Sequence, residues 1–136
     1  MKIANFLTPK AGVAWVKTTS TVRQAIERME HHAYTAVPLL TPEGGYGGVL
    51  TEGDLLRFLM QHPHVRFADT EHLPLSAVPL RKQVQPISID AEMEELLALV
   101  LDHNFVPVVD GREAFIGIVR RRTILTYFQE RLRAAV

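Results

Sequence analysis

The chain has no cysteine, and this absence excludes several kinds of chemistry at once. Without thiols there is no thiolate nucleophile, no thiolate zinc site and no disulfide framework, and the composition fits a cytoplasmic protein. An excess of either charge is also missing, because 15 Lys and Arg residues balance 15 Asp and Glu residues. No net field therefore draws the chain to nucleic acid or to an anionic membrane.

Long hydrophobic runs are absent as well. The longest one, residues 96–101, is far shorter than the roughly 18 residues that suggest a membrane span. Pro9 interrupts the short apolar stretch at the N-terminus, so no signal peptide is expected. With 136 residues, 47% of them hydrophobic and 22% charged, we expect a single soluble, cytoplasmic module spanning residues 1–136.

An internal repeat is the main signal that the sequence does contain. A shift of 71 residues aligns Val22 with Met93 and Ala25 with Leu96. After a two-residue deletion in the second half, a shift of 69 residues aligns two further pairs of segments: VPLL at 37–40 with VPVV at 106–109, and GVL at 48–50 with GIV at 117–119. The repeat predicts two copies of one structural motif.

Each copy begins with a predicted strand and helix. The strands fall at residues 13–16 and 84–89, and the helices follow with apolar residues at the i, i+3, i+4, i+7 spacing of one buried face. We expect the first helix to be capped by Thr19 or Ser20 and the second by Asp90.

A hairpin and a last helix complete each copy. Turn-rich residues join the hairpin strands, and the predicted segments are residues 36–50 and 53–60 in the first copy, and 105–119 and 122–133 in the second. The predicted fold class is α/β (α+β), with two tandem β-α-β-β-α motifs packed with pseudo-twofold symmetry.

A connector separates the two motifs. We place motif 1 at about residues 3–60, the connector at 61–73 and motif 2 at about 74–130. Residues 73–81 mirror residues 3–10 within this scheme. A motif of roughly 60 residues buries too little surface to be secure alone, so we expect the two to share one core.

One segment of the first copy carries a family resemblance. Residues 48–54 read GVLTEGD and resemble the glycine, two apolar residues, Thr or Ser, two variable residues and Asp of the CBS motif pair, also called the Bateman module. The resemblance extends over residues 3–130. It implies that the Thr51 hydroxyl lies near a nucleotide phosphate and that Asp54 binds ribose. The second copy departs from this pattern, with Arg120 in place of the hydroxyl and Thr123 in place of the acid.

Within that family the chain looks most like the small stand-alone cyclic di-AMP-binding CBS proteins of Gram-positive bacteria. The residues YTAVP at 34–38, NFV at 104–106 and an Arg pair carry the likeness. It implies a homodimer formed through paired helices, with the ligand in the cleft between the motifs. The ligand-binding residues that it implies, adenine contacts first and the phosphate-binding arginines last, are Val13, Ala14, Thr35, Ala36, Val37, Pro38, Thr51, Asp54, Arg120, Arg121 and Arg122.

Several of these signals have a purely structural alternative. A hydroxyl at Thr51 and an acid at Asp54 also form a helix capping box. The three arginines from Arg120 onward could form a solvated basic face, although cations at a helix N-terminus oppose its dipole unless an anion is bound. Trp15 could stack on a base or simply pack against the motif.

Two other patterns do not indicate a binding site. The glycines of residues 44–48 are typical of a turn, because no Gly-Lys-Ser/Thr follows them. The six histidines lack a metal-binding spacing such as His-Glu-x-x-His, so no metal is expected.

The sequence therefore predicts a non-catalytic regulatory module that senses an adenine nucleotide, with cyclic di-AMP favoured, and signals to a protein partner. An AMP, ADP or ATP sensor and a structural dimerisation module with a decayed ligand site are the alternatives. We predict no catalytic residue and no cofactor, because no base lies beside a metal or an activated nucleophile. Neither nucleic acid nor a membrane is an expected partner.

Overall fold

The computed structural model describes residues 1–135, and their contacts divide the chain into two compact units. The first-motif unit consists of Ala14–Gln83. The second-motif unit combines residues 1–13 with the chain from Val84 onward.

The secondary structure follows the predicted order. The helices and strands of the described residues are β1 (Thr8–Pro9), β2 (Val16–Lys17), α1 (Val22–His32), β3 (Ala36–Leu40), β4 (Tyr46–Thr51), α2 (Glu52–Gln61), β5 (Ile87–Ser88), α3 (Met93–Val100), β6 (Phe105–Val109), β7 (Phe115–Arg120) and α4 (Arg121–Ala134). The order β-α-β-β-α is thus confirmed in both motifs. Among residues 1–135 no helix combines the length and hydropathy that crossing a bilayer requires.

The first-motif unit is built on a sheet of order β2-β3-β4. Strand β2 is parallel to β3, which pairs with β4 in an antiparallel hairpin. Helices α1 and α2 cover this sheet with apolar side chains and form a core with these buried members: Val16, Val22, Ala25, Met29, Val37, Leu39, Leu50, Leu55, Phe58, Leu75 and Val78. Burying each large side chain contributes roughly 1.5 to 3 kcal/mol, so this core holds the hairpin and the start of α2 in place.

The second-motif unit repeats this plan on a sheet of order β1-β7-β6-β5. Strand β5 is parallel to β6, and β7 is antiparallel to both β6 and β1. Its buried core consists of Ile3, Phe6, Ile87, Leu96, Val100, Val106, Val108, Val119 and Ile124. The N-terminal segment therefore belongs structurally to the second motif.

The helix caps predicted from the sequence were wrong in both motifs. Helix α1 is capped by Thr21, whose side chain accepts from the Gln24 N–H while the Gln24 side chain accepts from the Thr21 N–H at 2.9 Å. The residue before α3 is Glu92, and its side chain makes no capping bond. Asp90 instead lies in the preceding turn, where its N–H donates to the Ser88 hydroxyl.

The two mirrored segments pack on opposite motifs. Residues 3–9 pack on the second motif through the pairing of β1 with β7. Residues 73–80 pack on the first, where the Leu73 carbonyl accepts from the Val22 N–H at 2.8 Å. Gly117 has a positive φ, and a Cβ there would collide with the Thr8 carbonyl oxygen. The close approach of β1 therefore requires glycine at this position.

Candidate functional site

One end of the first hairpin brings three of the predicted site residues together. Ala36 on β3 pairs with Thr51 on β4, and the carbonyl of Thr35 accepts from the Glu52 N–H at 2.9 Å. Thr35 is exposed, whereas Ala36 and Thr51 are half-buried. The hairpin thus ends in a polar edge at the start of α2.

Asp54 lies beneath this edge with only 2% of its surface exposed. It forms the capping box with Thr51: its carboxylate accepts from the Thr51 N–H at 2.9 Å, and its own N–H donates to the Thr51 hydroxyl at 3.1 Å. The carboxylate also accepts from the Arg57 guanidinium at 2.7 Å and from the Arg81 N–H at 3.0 Å. The helix capping box, which was the structural alternative to a ligand site at Thr51 and Asp54, is therefore present in the fold. A ribose hydroxyl would have to join or replace these three donors.

Four other predicted ligand-binding residues are buried. Val13 and Ala14 lie just before β2, and Val37 and Pro38 lie within β3. The Val37 side chain belongs to the core of the first-motif unit. A ligand at this position would meet its backbone, not its side chain.

The start of α4 gathers positive charge. Arg120 precedes the helix, Arg121 and Arg122 are its first two residues, and its first turn contains no acid. No side chain among the described residues caps this helix. The N–H groups of a first helical turn lack intrahelical partners and carry partial positive charge, so the whole terminus attracts anions.

An open groove of about 640 Å³ lies along this terminus and is lined by Asn104, Arg121, Arg122, Leu125, Thr126 and Gln129. Asn104 holds Arg121 in two ways, since its carbonyl accepts from the Arg121 N–H at 2.8 Å and its side-chain oxygen accepts from the guanidinium. Arg120 is not part of the lining. The groove therefore brings together two of the three predicted arginines and fixes one of them.

The corresponding helix starts of the two motifs have opposite electrostatics. Helix α2 begins with a closed capping box and carries the acids Glu52 and Asp54 in its first turn. The negative charges of these acids offset the positive end of the helix dipole without a ligand. Helix α4 begins with Arg121 and Arg122, which raise the positive potential there. Since both starts occupy the same place in the repeat, the fold itself does not dictate the arginines.

The sequence reasoning missed Asn104, Arg57 and Arg81 as site residues. The repeat could have found Asn104, because a shift of 69 residues places it at the position of Thr35, and both carbonyls accept from the first N–H of the following helix. The i,i+3 spacing could have suggested the Arg57 contact with Asp54. No local pattern indicates the contact of Arg81.

The fold and this site define a paired β-α-β-β-α module with one acid-capped and one arginine-rich helix start. A family model described as the CBS domain matches residues 5–61 and 75–130, and the chain belongs to this family. The resemblance found in the sequence is thereby confirmed.

Three known proteins are similar to this chain over nearly its whole length. The cyclic di-AMP receptor B of Bacillus subtilis strain 168 is 20% identical over 132 residues, which are 97% of this chain and 89% of that protein. The CbpB protein of Listeria monocytogenes, solved in complex with cyclic di-AMP, matches with a TM-score of 0.84 and 23% identity over 97% of this chain and 98% of that one. CBSX2, solved in complex with AMP, matches with a TM-score of 0.74 and 21% identity over 95% and 96% of the two chains. These structural matches confirm the predicted α+β class.

Proposed function

We propose that the chain is a non-catalytic regulatory module that binds an adenine nucleotide, with cyclic di-AMP the favoured ligand, and passes the signal to a protein partner. The observation that carries the proposal is the start of α4, where Arg121 and Arg122 line one groove. Two relatives support the ligand class, since one was solved with cyclic di-AMP and another with AMP.

The chemistry of the groove suits a phosphate. Each guanidinium presents parallel N–H donors that match two phosphate oxygens, and a helix start adds backbone donors. Asn104 orients Arg121 before any ligand arrives, which lowers the entropy lost on binding. A bound anion would also relieve the unfavourable placement of cations at this terminus.

The edge of the first hairpin offers groups that suit a nucleoside. Thr51 offers a half-buried hydroxyl, while Thr35 and Ala36 offer backbone groups beside a small side chain. The placement of a ligand between the motifs, the adenine contacts and the ribose role of Asp54 stay parts of this proposal.

Calorimetric titration with cyclic di-AMP, AMP, ADP and ATP tests the proposal directly. A saturating ligand at about a hundredfold its Kd adds about 2.7 kcal/mol to the free energy of unfolding, which raises Tm by several degrees in a chain of this size. We expect cyclic di-AMP to give the largest rise. If AMP or ATP gives it instead, the chain is a mononucleotide sensor. No heat and no rise with all four would end the proposal.

The second candidate function is a structural dimerisation module with a decayed ligand site. Asp54 favours it, because this carboxylate already accepts from three internal donors. The module would keep its oligomeric state and its melting curve whatever nucleotide is added. The same titration therefore separates the two candidates.

Both candidate functions include a homodimer. The exposed apolar side chains on two helices support it. They are Leu56, Leu59 and Met60 on α2 and Leu125, Phe128 and Leu132 on α4. Apolar patches of this kind typically mark interfaces. We further propose that the module acts in the cytoplasm and turns over no nucleotide, which product analysis after long incubation would check.

A further inference from the structure

Another groove lies on the first-motif unit, beside β2 and α1. Its volume is about 290 Å³, and its lining consists of Trp15, Val16, Lys17, Ser20, Gln24 and Arg28. Trp15 is half-buried, whereas the cations Lys17 and Arg28 are exposed. None of these six residues, all in the described part of the chain, is acidic. The groove thus combines one large aromatic side chain with two positive charges.

The repeat supplies an internal control for this surface. At a shift of 71 residues the second motif has Pro86 for Trp15, Ser88 for Lys17, Ala91 for Ser20, Glu95 for Gln24 and Leu99 for Arg28. Only the apolar position of Val16 is kept, as the buried Ile87. A motif of the same fold therefore forms without the tryptophan and without the two cations. Their presence in the first motif calls for a reason other than folding.

The chemistry of the lining selects the kind of partner. Carboxylates can pair with Lys17 and Arg28, and an apolar side chain can bury its surface against the indole ring. At about 290 Å³ the groove falls just below the roughly 300 to 1,000 Å³ of typical small-molecule pockets, which favours a segment of polypeptide lying along it over an enclosed small molecule. Nucleic acid is disfavoured, because its binding rests on many phosphate contacts, about six to ten in typical cases, and this surface offers two cations.

We propose that this groove docks a short acidic segment of a partner protein, with an apolar side chain against Trp15 and carboxylates on Lys17 and Arg28. The segment is the point of contact for the protein partner in the proposed function, and only the regulatory meaning of the contact rests on that function. Docking itself needs no nucleotide.

Trp15 is the one tryptophan of the sequence, so its fluorescence reports directly on this groove. The probe is a synthetic peptide with a central Phe flanked on both sides by Glu and Asp. A second peptide replaces every acid by its amide, and a third replaces Phe by Gly. We expect the acidic Phe peptide to shift the emission of Trp15 in a saturable way and both control peptides to bind at least about tenfold more weakly.

Charge reversal in the chain completes the design. Arg28→Glu and Lys17→Glu should each weaken the acidic peptide by about tenfold or more, because like charges then meet. Arg112→Glu, an exposed position in the turn between β6 and β7, is the matched control and should leave the affinity unchanged. Both reversals lie at exposed positions, and an unchanged melting curve shows that the fold is intact.

Several outcomes would overturn the proposal. The amide peptide could bind as well as the acidic one, or Arg28→Glu could behave like Arg112→Glu. A spectral shift that appears without peptide and grows with chain concentration would mean that a second copy of the chain occupies the groove. Titration of the same variants with cyclic di-AMP keeps the two proposals separate, since Arg28→Glu should retain the ligand-induced rise in Tm even if peptide binding is lost.

Discussion

The buried carboxylate of Asp54 accepts a hydrogen bond at 3.0 Å from the backbone N–H of Arg81, although 27 residues separate them in sequence. The same group caps α2 through Thr51 and pairs with Arg57. It therefore ties the segment around Arg81 to the start of α2, whatever it does for a ligand. Any experiment on this residue has to separate its structural role from nucleotide binding.

Asp54→Ala should lower the free energy of unfolding by about 2 to 4 kcal/mol. The substitution removes the capping bond, worth about 1 kcal/mol, and leaves the part-buried N–H groups of Thr51 and Arg81 without their acceptor. Chemical denaturation of both proteins measures the difference. Glu52→Ala, an exposed change in the same turn, is the control and should stay within about 0.5 kcal/mol. A loss as small as that of the control would mean that the Asp54 bonds do not stabilise the fold.

Arg122→Ala should move stability and affinity in opposite directions. The exposed Arg122 is the second residue of α4, where a cation opposes the helix dipole, so its removal should stabilise the free chain by about 0.3 to 1 kcal/mol. The same change should weaken cyclic di-AMP by about 1 to 3 kcal/mol, the scale of a charged hydrogen bond. Denaturation without ligand and calorimetry with ligand give the two values.

Arg133→Ala is the matched control for this prediction. Arg133 lies in the last turn of the same helix, where a cation favours the dipole. Its removal should slightly destabilise the chain and leave nucleotide affinity unchanged. If both variants bind cyclic di-AMP as the unaltered chain does, the start of α4 is not the phosphate site.

The periodic part of the fold was predictable, and the non-local part was not. The repeat predicted the order of elements because apolar spacing is a local property of each helix and strand. The caps were misplaced by one or two residues, since a run such as Thr19, Ser20, Thr21 offers several hydroxyls and only the backbone angles decide among them. The bond between Asp54 and Arg81 and the pairing of β1 with β7 depend on tertiary contacts that no local pattern records.

The length of the first strand of motif 1 was also not predictable from the local sequence. The sequence predicted a strand at residues 13–16, yet β2 is Val16–Lys17, because the Val13 N–H donates to the Lys10 carbonyl in a tight turn. In the candidate site, the arginines were visible as a charge run at a helix start. Of the three donors that already occupy Asp54, the Arg81 N–H was not visible, since only the fold brings that segment beside the carboxylate.

Gly117→Ala should destabilise the chain by about 2 to 4 kcal/mol. Gly117 has a φ of 156°, and an added Cβ would meet the backbone of the N-terminal segment. We expect the pairing of Thr8 with Ile118 to be lost first, which amide hydrogen exchange would detect. Gly111→Ala, in a turn with open space around it, is the control and should be nearly neutral. Equal protection of β1 in both variants would contradict this reading.

Leu56→Lys and Leu132→Lys should dissociate the proposed homodimer. Their side chains are 61% and 72% exposed, on α2 and α4 respectively, and neither lines the groove at the start of α4, so a charge there disrupts an apolar interface without disturbing either core. Analytical ultracentrifugation over a range of concentrations measures the shift towards monomer. Leu101→Lys tests whether any exposed leucine gives the same result, because Leu101 lies just beyond α3 and outside the proposed interface. A chain that sediments as a monomer before any substitution would refute the dimer outright.

The Tyr46 hydroxyl should ionise at a higher pH than that of an ordinary tyrosine. Burial raises its pKa from 10.0 to about 12, because the phenolate would lose solvation within the hairpin. A raised pKa in the folded state means that this contribution to stability is complete below pH 10 and is lost as the pH rises towards 12. Ultraviolet titration should therefore show one delayed ionisation that Tyr46→Phe removes. In the same variant, the fall in the free energy of unfolding over that pH range should become smaller, whereas an unchanged titration curve would assign the late step to another tyrosine.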